Sequence, residues 1–281
     1  MNVEIIDEVL EEGPQRLEFV VEGVSAKFLN TLRRIILAQV PVLAIEEVIF
    51  IENSSPLFDE VIAHRLGLIP LTTDLEKYNF PHECSCEGDG CTLCQVDLHL
   101  DKHVDKPTTI YSGDLRSTDP TVKPVSAKIP IVKLEKNMAL VIEAFARLGT
   151  GREHAKYQAV STTAYRHYPE VTVDESKCGD CKDACEAAKW CPKHLFEKKG
   201  KKVQLVEDWW KRCTVCMECQ SKCPNGAITA RGLDDKFIMF LESTGALPVR
   251  TVLFKAIEIF KATIREFLTQ VEETAHAQSE N

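Results

Sequence analysis

Twelve cysteines are the residues in this chain whose type and spacing could do chemistry. All fall within 84–94 and 178–223. In a cytosolic chain, which is expected here, clustered thiols point to metal ligands rather than disulfides. Cys213, Cys216, Cys219 and Cys223, followed by Pro224, have gaps of two, two and three residues. That is the bacterial ferredoxin run, in which three thiolates take corners of one cubane and the fourth reaches a second cluster. Cys178, Cys181, Cys185 and Cys191, followed by Pro192, repeat the Cys-Pro ending with gaps of two, three and five. Crossed ligation gives one [4Fe–4S] set, Cys191, Cys213, Cys216 and Cys219, and a second, Cys178, Cys181, Cys185 and Cys223. The unusual gaps all lie upstream, so one cluster is expected and the second is complete, partial or absent. Cys84, Cys86, Cys91 and Cys94 have gaps of one, four and two. Four thiolates in one short loop suit a tetrahedral structural zinc better than a cubane. A reduced, metal-free loop is the alternative, and His82 is not needed as a ligand.

No other pattern reads as catalytic. There is no nucleophile elbow, Walker loop or metalloprotease helix, and Gly149-Thr150-Gly151 lacks the Lys-Ser/Thr of a phosphate loop. The formal charge of −9 argues against strong direct nucleic-acid binding by this chain. No window approaches the ~20 apolar residues of a membrane span, and Met1-Asn2-Val3-Glu4 opens no signal peptide. A cytoplasmic protein is expected.

The elements that must position these cysteines alternate strand and helix. Val3–Val9 and Arg16–Glu22 read as strands about Glu12-Gly13-Pro14. Ser25 caps a helix carrying Phe28, Leu32, Ile35 and Ile36, which stops before Pro41. A strand over 44–51, a helix over 57–66 and strands over 95–100, 129–134 and 140–146 follow. The run His194–Val203, rich in lysine, reads as a solvated hairpin tip, with an electron-partner patch as the alternative. A strand over 236–242 precedes a long helix, about 249–272. On it Leu253, Ile257, Phe260, Ile264, Phe267 and Val271 step by 4, 3, 4, 3, 4, a heptad seam. The seam packs on the chain's own core or pairs with another chain; periodicity leaves both open.

Several segments resemble the alpha-type subunits of cellular RNA polymerases. They are Phe28-Leu29-Asn30-Thr31-Leu32-Arg33-Arg34-Ile35-Ile36-Leu37 with Val40-Pro41 and Ala44-Ile45; Ser55–Glu60 with Ala63–Leu71; Gly149–Tyr157; and Glu242–Pro248. The resemblance covers nearly the whole chain, and the cysteine module points to the archaeal third-subunit branch, the D-type polymerase subunits. The loop at 84–94 is similar to the zinc loop of the eukaryotic counterpart. The resemblance implies an α+β fold in three parts. These are a discontinuous dimerisation domain (1–40 and 232–281), an inserted mixed α/β domain (41–170, with the cysteine-rich loop at 79–94) and a ferredoxin-like module (171–231). It implies an interface at Phe28, Leu32, Ile35, Leu253, Ile257, Phe260 and Ile264 for the small L-type polymerase subunit. It further implies contacts with the N-type and P-type small subunits and with the large B-type subunit. The chain would then be a scaffold of a nucleotidyltransferase complex with no catalytic residues of its own. A ferredoxin-type electron-transfer component of an anaerobic oxidoreductase is the alternative, but it would not account for the sequence outside 171–231. Oxygen-labile clusters that tune assembly would join the two readings.

Overall fold

The computed structural model describes residues 1–11, 13–178, 185–199 and 202–279, and side chains within helices or strands are left out at Glu186, Lys198, Lys199, Lys202 and 276–279. In chain order the elements are β1 (Asn2–Val9), β2 (Arg16–Glu22), α1 (Ala26–Ala38), β3 (Val42–Asn53), α2 (Asp59–Gly67), β4 (Gln95–Val104), β5 (Thr108–Tyr111), β6 (Arg116–Ser117), β7 (Pro130–Leu134), β8 (Met138–Gly149) and β9 (Val160–Val173). Then come α3 (Glu186–Trp190), β10 (Phe196–Lys199), β11 (Lys202–Leu205), α4 (Trp209–Arg212), α5 (Glu218–Ser221), β12 (Ile228–Ser243) and α6 (Val249–Ser279). The chain divides into two compact units.

The first unit takes Met1–Ile6, Glu18–Asn30 and Ala164–Met239. Its sheet has the order β1-β2-β12-β9. Ser25 caps α1 as its side chain suggests: Oγ accepts from the Phe28 amide at 3.3 Å. The lysine-rich run forms the β10–β11 hairpin, paired from Phe196↔Leu205 to Lys199↔Lys202. A small core gathers Val171, Ala187, Leu195, Phe196, Val203, Ile228 and Ala230 with Cys191, Cys213 and Cys219.

The second unit takes Asp7–Leu17, Thr31–Thr163 and Phe240–Asn281. A four-stranded sheet, β3-β8-β4-β6, lies beside the β5–β7 pair. Its inward residues, among them Ile45, Leu98, Leu100 and Ile142, pack with Ile62 and Leu66 of α2 in one large core. Antiparallel strands with one face on a core alternate apolar and polar, and β4 does so along Val96, Leu98 and Leu100. The glycines after β8 serve packing. A Cβ on Gly151 would lie 2.2 Å from the Leu37 carbonyl oxygen, and the neighbouring Arg152 amide donates to Ala38 O at 2.9 Å. Gly149 ends β8, and the turn that starts at Gly151 closes against backbone.

Helix α6 buries Val249, Val252 and Ala256 completely. Leu253, Ile257 and Phe260 are half-buried. Beyond them every residue from 261 to 275 is exposed. No helix among the described residues is long and apolar enough to cross a membrane.

Candidate metal centres

The loop between α2 and β4 brings Cys84, Cys86, Cys91 and Cys94 together. Their sulfurs all lie within 4.8 Å of one another, alone in this among the described residues. Individual separations are 3.5 Å for Cys84–Cys91, 3.4 Å for Cys86–Cys94 and 3.9 Å for Cys91–Cys94. Four thiolates bound to one zinc at about 2.3 Å would stand about 3.8 Å apart as edges of a tetrahedron. The donor set fits one small ion. The turns begin at the ligands: the amides of Glu87 and Asp89 donate to the carbonyls of Cys84 and Cys86, and those of Cys94 and Gln95 to that of Cys91. Gly88 and Gly90, at φ 93° and 91°, allow the chain to fold back so tightly.

Full deprotonation of this group needs a cation. Hydrogen bonding from Cys94, then from the Gly88 amide, draws Cys86 down to about 6. Burial pushes Cys94 up to about 12. Adjacent thiols oppose each other's ionisation, so without an ion the four do not become thiolates together at neutral pH. Beside the loop, Tyr78 and Lys77 both hydrogen-bond the buried Asp119 carboxylate. Loop and shelf are tied by the Asn79 amide, which donates to Leu93 O at 2.8 Å.

The other constellation is built differently. Cys191, Cys213, Cys216 and Cys219 line one recess. Val171, Leu195, Phe196, Leu205 and Ala230 make up much of its wall. Three of the cysteines are buried and Cys216 is exposed. Cys191 follows α3, Cys213 follows α4 and Cys219 lies in α5. The loop between α4 and α5 holds Val215 at φ 54° and Met217 at φ 61°. The first is a rare conformation for a β-branched residue, and the two left-handed turns wrap the loop around the recess. Burial raises Cys213 above the usual thiol range and lifts Cys219 to about 11; amide hydrogen bonds from Val215 and Gln220 partly oppose this. Unlike the loop sulfurs, these four are not among the groups of described residues gathered closely enough to hold a single ion. A cubane carries its thiolates on separate corners, so an apolar, sulfur-lined recess suits a cluster better than one ion.

Of the upstream set, Cys178, Cys185 and Cys223 border the same small core, and Cys223 Sγ accepts from the Ala227 amide at 3.3 Å. Cys181 lies outside the described residues. Among the pairing residues, Leu32 and Ile35 are buried, Phe28, Leu253, Ile257 and Phe260 are half-buried, and Ile264 is exposed.

Spacing gave no sign of Arg166. Its guanidinium donates to the carbonyls of Cys213 (2.7 Å) and Lys211 (2.6 Å).

Residues 48–172 match the RNA polymerase Rpb3/RpoA insert domain, and residues 206–229 match the 4Fe-4S binding domain. Along nearly its full length the chain is similar to proteins described as DNA-directed RNA polymerase subunit Rpo3. That of Archaeoglobus fulgidus is 42% identical, covering 95% of this chain and 97% of the relative. The Methanosphaera stadtmanae protein is 40% identical, covering 97% and 99%. The Pyrobaculum arsenaticum protein is 36% identical, covering 94% and 95%.

Proposed function

Because the chain belongs to the Rpo3 family of archaeal DNA-directed RNA polymerase subunits, we propose that it is the scaffold on which the rest of the polymerase assembles. In this reading it pairs with the small L-type subunit, then receives the N-type and P-type small subunits and the large B-type subunit. A three-part domain plan goes with it: 1–40 with 232–281 for pairing, 41–170 as the insert, 171–231 as the ferredoxin-like module.

One observation carries the pairing. Among the described residues of helix α6, only Val249, Val252 and Ala256 are completely buried in its own chain. The helix then runs on with Ile264, Phe267, Leu268 and Val271 exposed by 46 to 63%. A continuing apolar seam on a helix outside the core is what an obligate partner helix covers. The half-buried Leu253, Ile257 and Phe260 would form the inner part of that interface, and Phe28, Leu32 and Ile35 of α1 are assigned to it as well.

The test is the double variant Ile264→Asp/Phe267→Asp, chosen because both side chains already face solvent and the isolated chain should keep its fold. Each charge would be buried unpaired in the complex. Gel filtration with the L-type partner should show the heterodimer lost. A complex that survives unchanged would place the partner elsewhere.

Cys191, Cys213, Cys216 and Cys219 would hold one [4Fe–4S] cluster and Cys84, Cys86, Cys91 and Cys94 one structural zinc. When bound, the cluster supplies four strong iron–thiolate bonds and one-electron chemistry. Its role here is read as structural, because three of the ten buried residues in the small core are cysteines. A core so thin gains folding energy from metal directly. Cys178, Cys181, Cys185 and Cys223 would serve a second cluster. Iron analysis after anaerobic purification separates the cases: about four irons per chain for one cluster, about eight for two.

A further inference from the structure

We propose that Arg166 is a positioning residue for the iron–sulfur site, clamping the Cys213 ligand loop to strand β2 so that filling of the recess and order in β2 depend on each other. The proposal rests on the reading of that recess as a cluster site.

Helix α4 is four residues long, and its last carbonyls need donors from outside the helix. Arg166, on β9, supplies them. Its Nη1 donates to Cys213 O at 2.7 Å and to Trp210 O at 3.5 Å, and its Nη2 donates to Lys211 O at 2.6 Å. The same Nη2 faces Glu18 Oε1 of β2 at 3.4 Å. A planar fork with five donors can hold three carbonyls and a carboxylate at once; an ammonium cannot.

A second strut runs beside the first. Tyr168, two residues along β9 and so on the same face, stacks on Trp210 of α4 with centroids 5.3 Å apart and planes at 24°. Lys236 of β12 lies over the Tyr168 ring, 4.6 Å from its centroid, and pairs with Glu22 of β2 at 3.5 Å. Glu18 and Glu22, four residues apart on β2, each meet a cation that leads to α4. Both struts therefore join β2 to the segment that delivers Cys213.

The coupling follows from geometry. A filled recess fixes the Cys213 sulfur and, with it, the adjacent carbonyls that Arg166 grips. An emptied recess frees the loop, and Arg166 then loses the partners that hold it against Glu18. Such coupling is reciprocal: what the cluster does for β2, β2 does for the cluster.

The experiment uses the full chain, reconstituted anaerobically with iron and sulfide. Arg166→Met should hold its cluster about 10–100-fold less well against a competing chelator, the usual effect of losing an outer partner of a metal site. Its cluster midpoint potential should also move, since the positive charge near Cys213 is gone. Arg166→Lys should restore part of both. In the wild-type chain, stripping the cluster should speed hydrogen exchange at the amides of Glu18–Val21. In Glu18→Gln that response should shrink while the cluster still binds. An Arg166→Met chain with unchanged retention and potential overturns the proposal and leaves the cluster reading standing. If Arg166→Met does not fold, Glu18→Gln decides, and an undiminished exchange response overturns the proposal. A wild-type chain that takes up no iron and sulfide overturns the cluster reading and this proposal with it.

Discussion

The two cysteine sites differ in how far their sulfurs reach and in what surrounds them. At 84–94 the ligands come from one loop, stand 3.4–3.9 Å apart where they pair, and sit beside a core of some twenty buried residues. At 191–219 the candidate ligands come from two helix ends, one short helix and the loop between α4 and α5; all four line a recess, and three of them belong to a core of ten. Close sulfurs suit one ion, and sulfurs lining a recess suit a cluster. The surrounding core decides what the metal does for the fold. Beside a large apolar core a metal tidies a loop; inside a small one it replaces apolar contacts the sequence does not supply.

The sharpest way to break this contrast is to remove the second site. Replacing Cys213 and Cys216 by Ser should abolish the cluster and unfold residues 171–231 locally. Limited proteolysis should then cut within that span, circular dichroism should lose a corresponding share of signal, and binding of the L-type partner through α6 should persist. Docking of the larger polymerase subunits should weaken. A protease-resistant module in the iron-free variant would show that the apolar residues suffice alone, and an electron-transfer or sensing role would rise in its place.

That Cys84, Cys86, Cys91 and Cys94 come together was legible because spacing is a local property of the chain. The N-cap at Ser25 and the strands around 95–100 and 140–146 were legible for the same reason. Strand β9 was not read: Val160–Val173 contains Thr162, Thr163, His167 and Pro169 and lacks a strict alternation. It is an edge strand of its sheet, where proline and polar residues are tolerated. Strand β12 begins at Ile228, well before the expected start at 236, because Gly232 and two aspartates break the apolar pattern while the backbone stays extended. On α6 the heptad seam was visible, but the completely buried stripe is Val249, Val252 and Ala256, offset from it. Periodicity marks apolar faces and cannot say which one the chain covers by itself. Arg166 was invisible because its partners are backbone carbonyls, which have no sequence.

The insert that carries the first site should tolerate change less at its packing contacts than at its sulfurs. Gly151→Ala drives a Cβ to 2.2 Å from a carbonyl oxygen, so backbone must shift. Overpacking of that kind costs about 1–3 kcal/mol, and a lowered thermal midpoint with unchanged metal content should report it. A wild-type midpoint would mean that the turn relaxes freely.

Asp119, on the shelf beside the zinc-type loop, should have an effect of similar size that depends on pH. Hydrogen bonds from Lys77, then Tyr78, hold its carboxyl well below the usual carboxylate range. A carboxyl depressed in the folded state contributes stability that is fully present well above its unfolded pKa of about 3.9 and is lost progressively as pH falls from there through its lower folded value. Asp119→Asn should therefore cost about 1–3 kcal/mol at pH 7 and about 1 kcal/mol less near pH 3. Denaturant titrations of both chains at the two pH values measure this. Parallel losses at both would assign the effect to packing instead.

The smallest effect is expected at the first set of sulfurs. Cys91→Ser/Cys94→Ser should release one zinc per chain and leave iron unchanged, because the two sites share no ligand and no element. The fold of the insert should persist, since its core from Leu43 to Leu148 contains none of the four cysteines. What changes is the loop. Without a cation the turns at Cys84 and Cys86 keep their backbone hydrogen bonds but lose the bond that closes them. Exchange at the amides of Glu87 and Asp89 should rise, with little movement in the global denaturation midpoint. Loss of iron together with zinc would refute the separation of the sites. A collapse of the whole insert would show that the metal supports a large core as well as a small one, and core size would then no longer decide what a metal does for this fold.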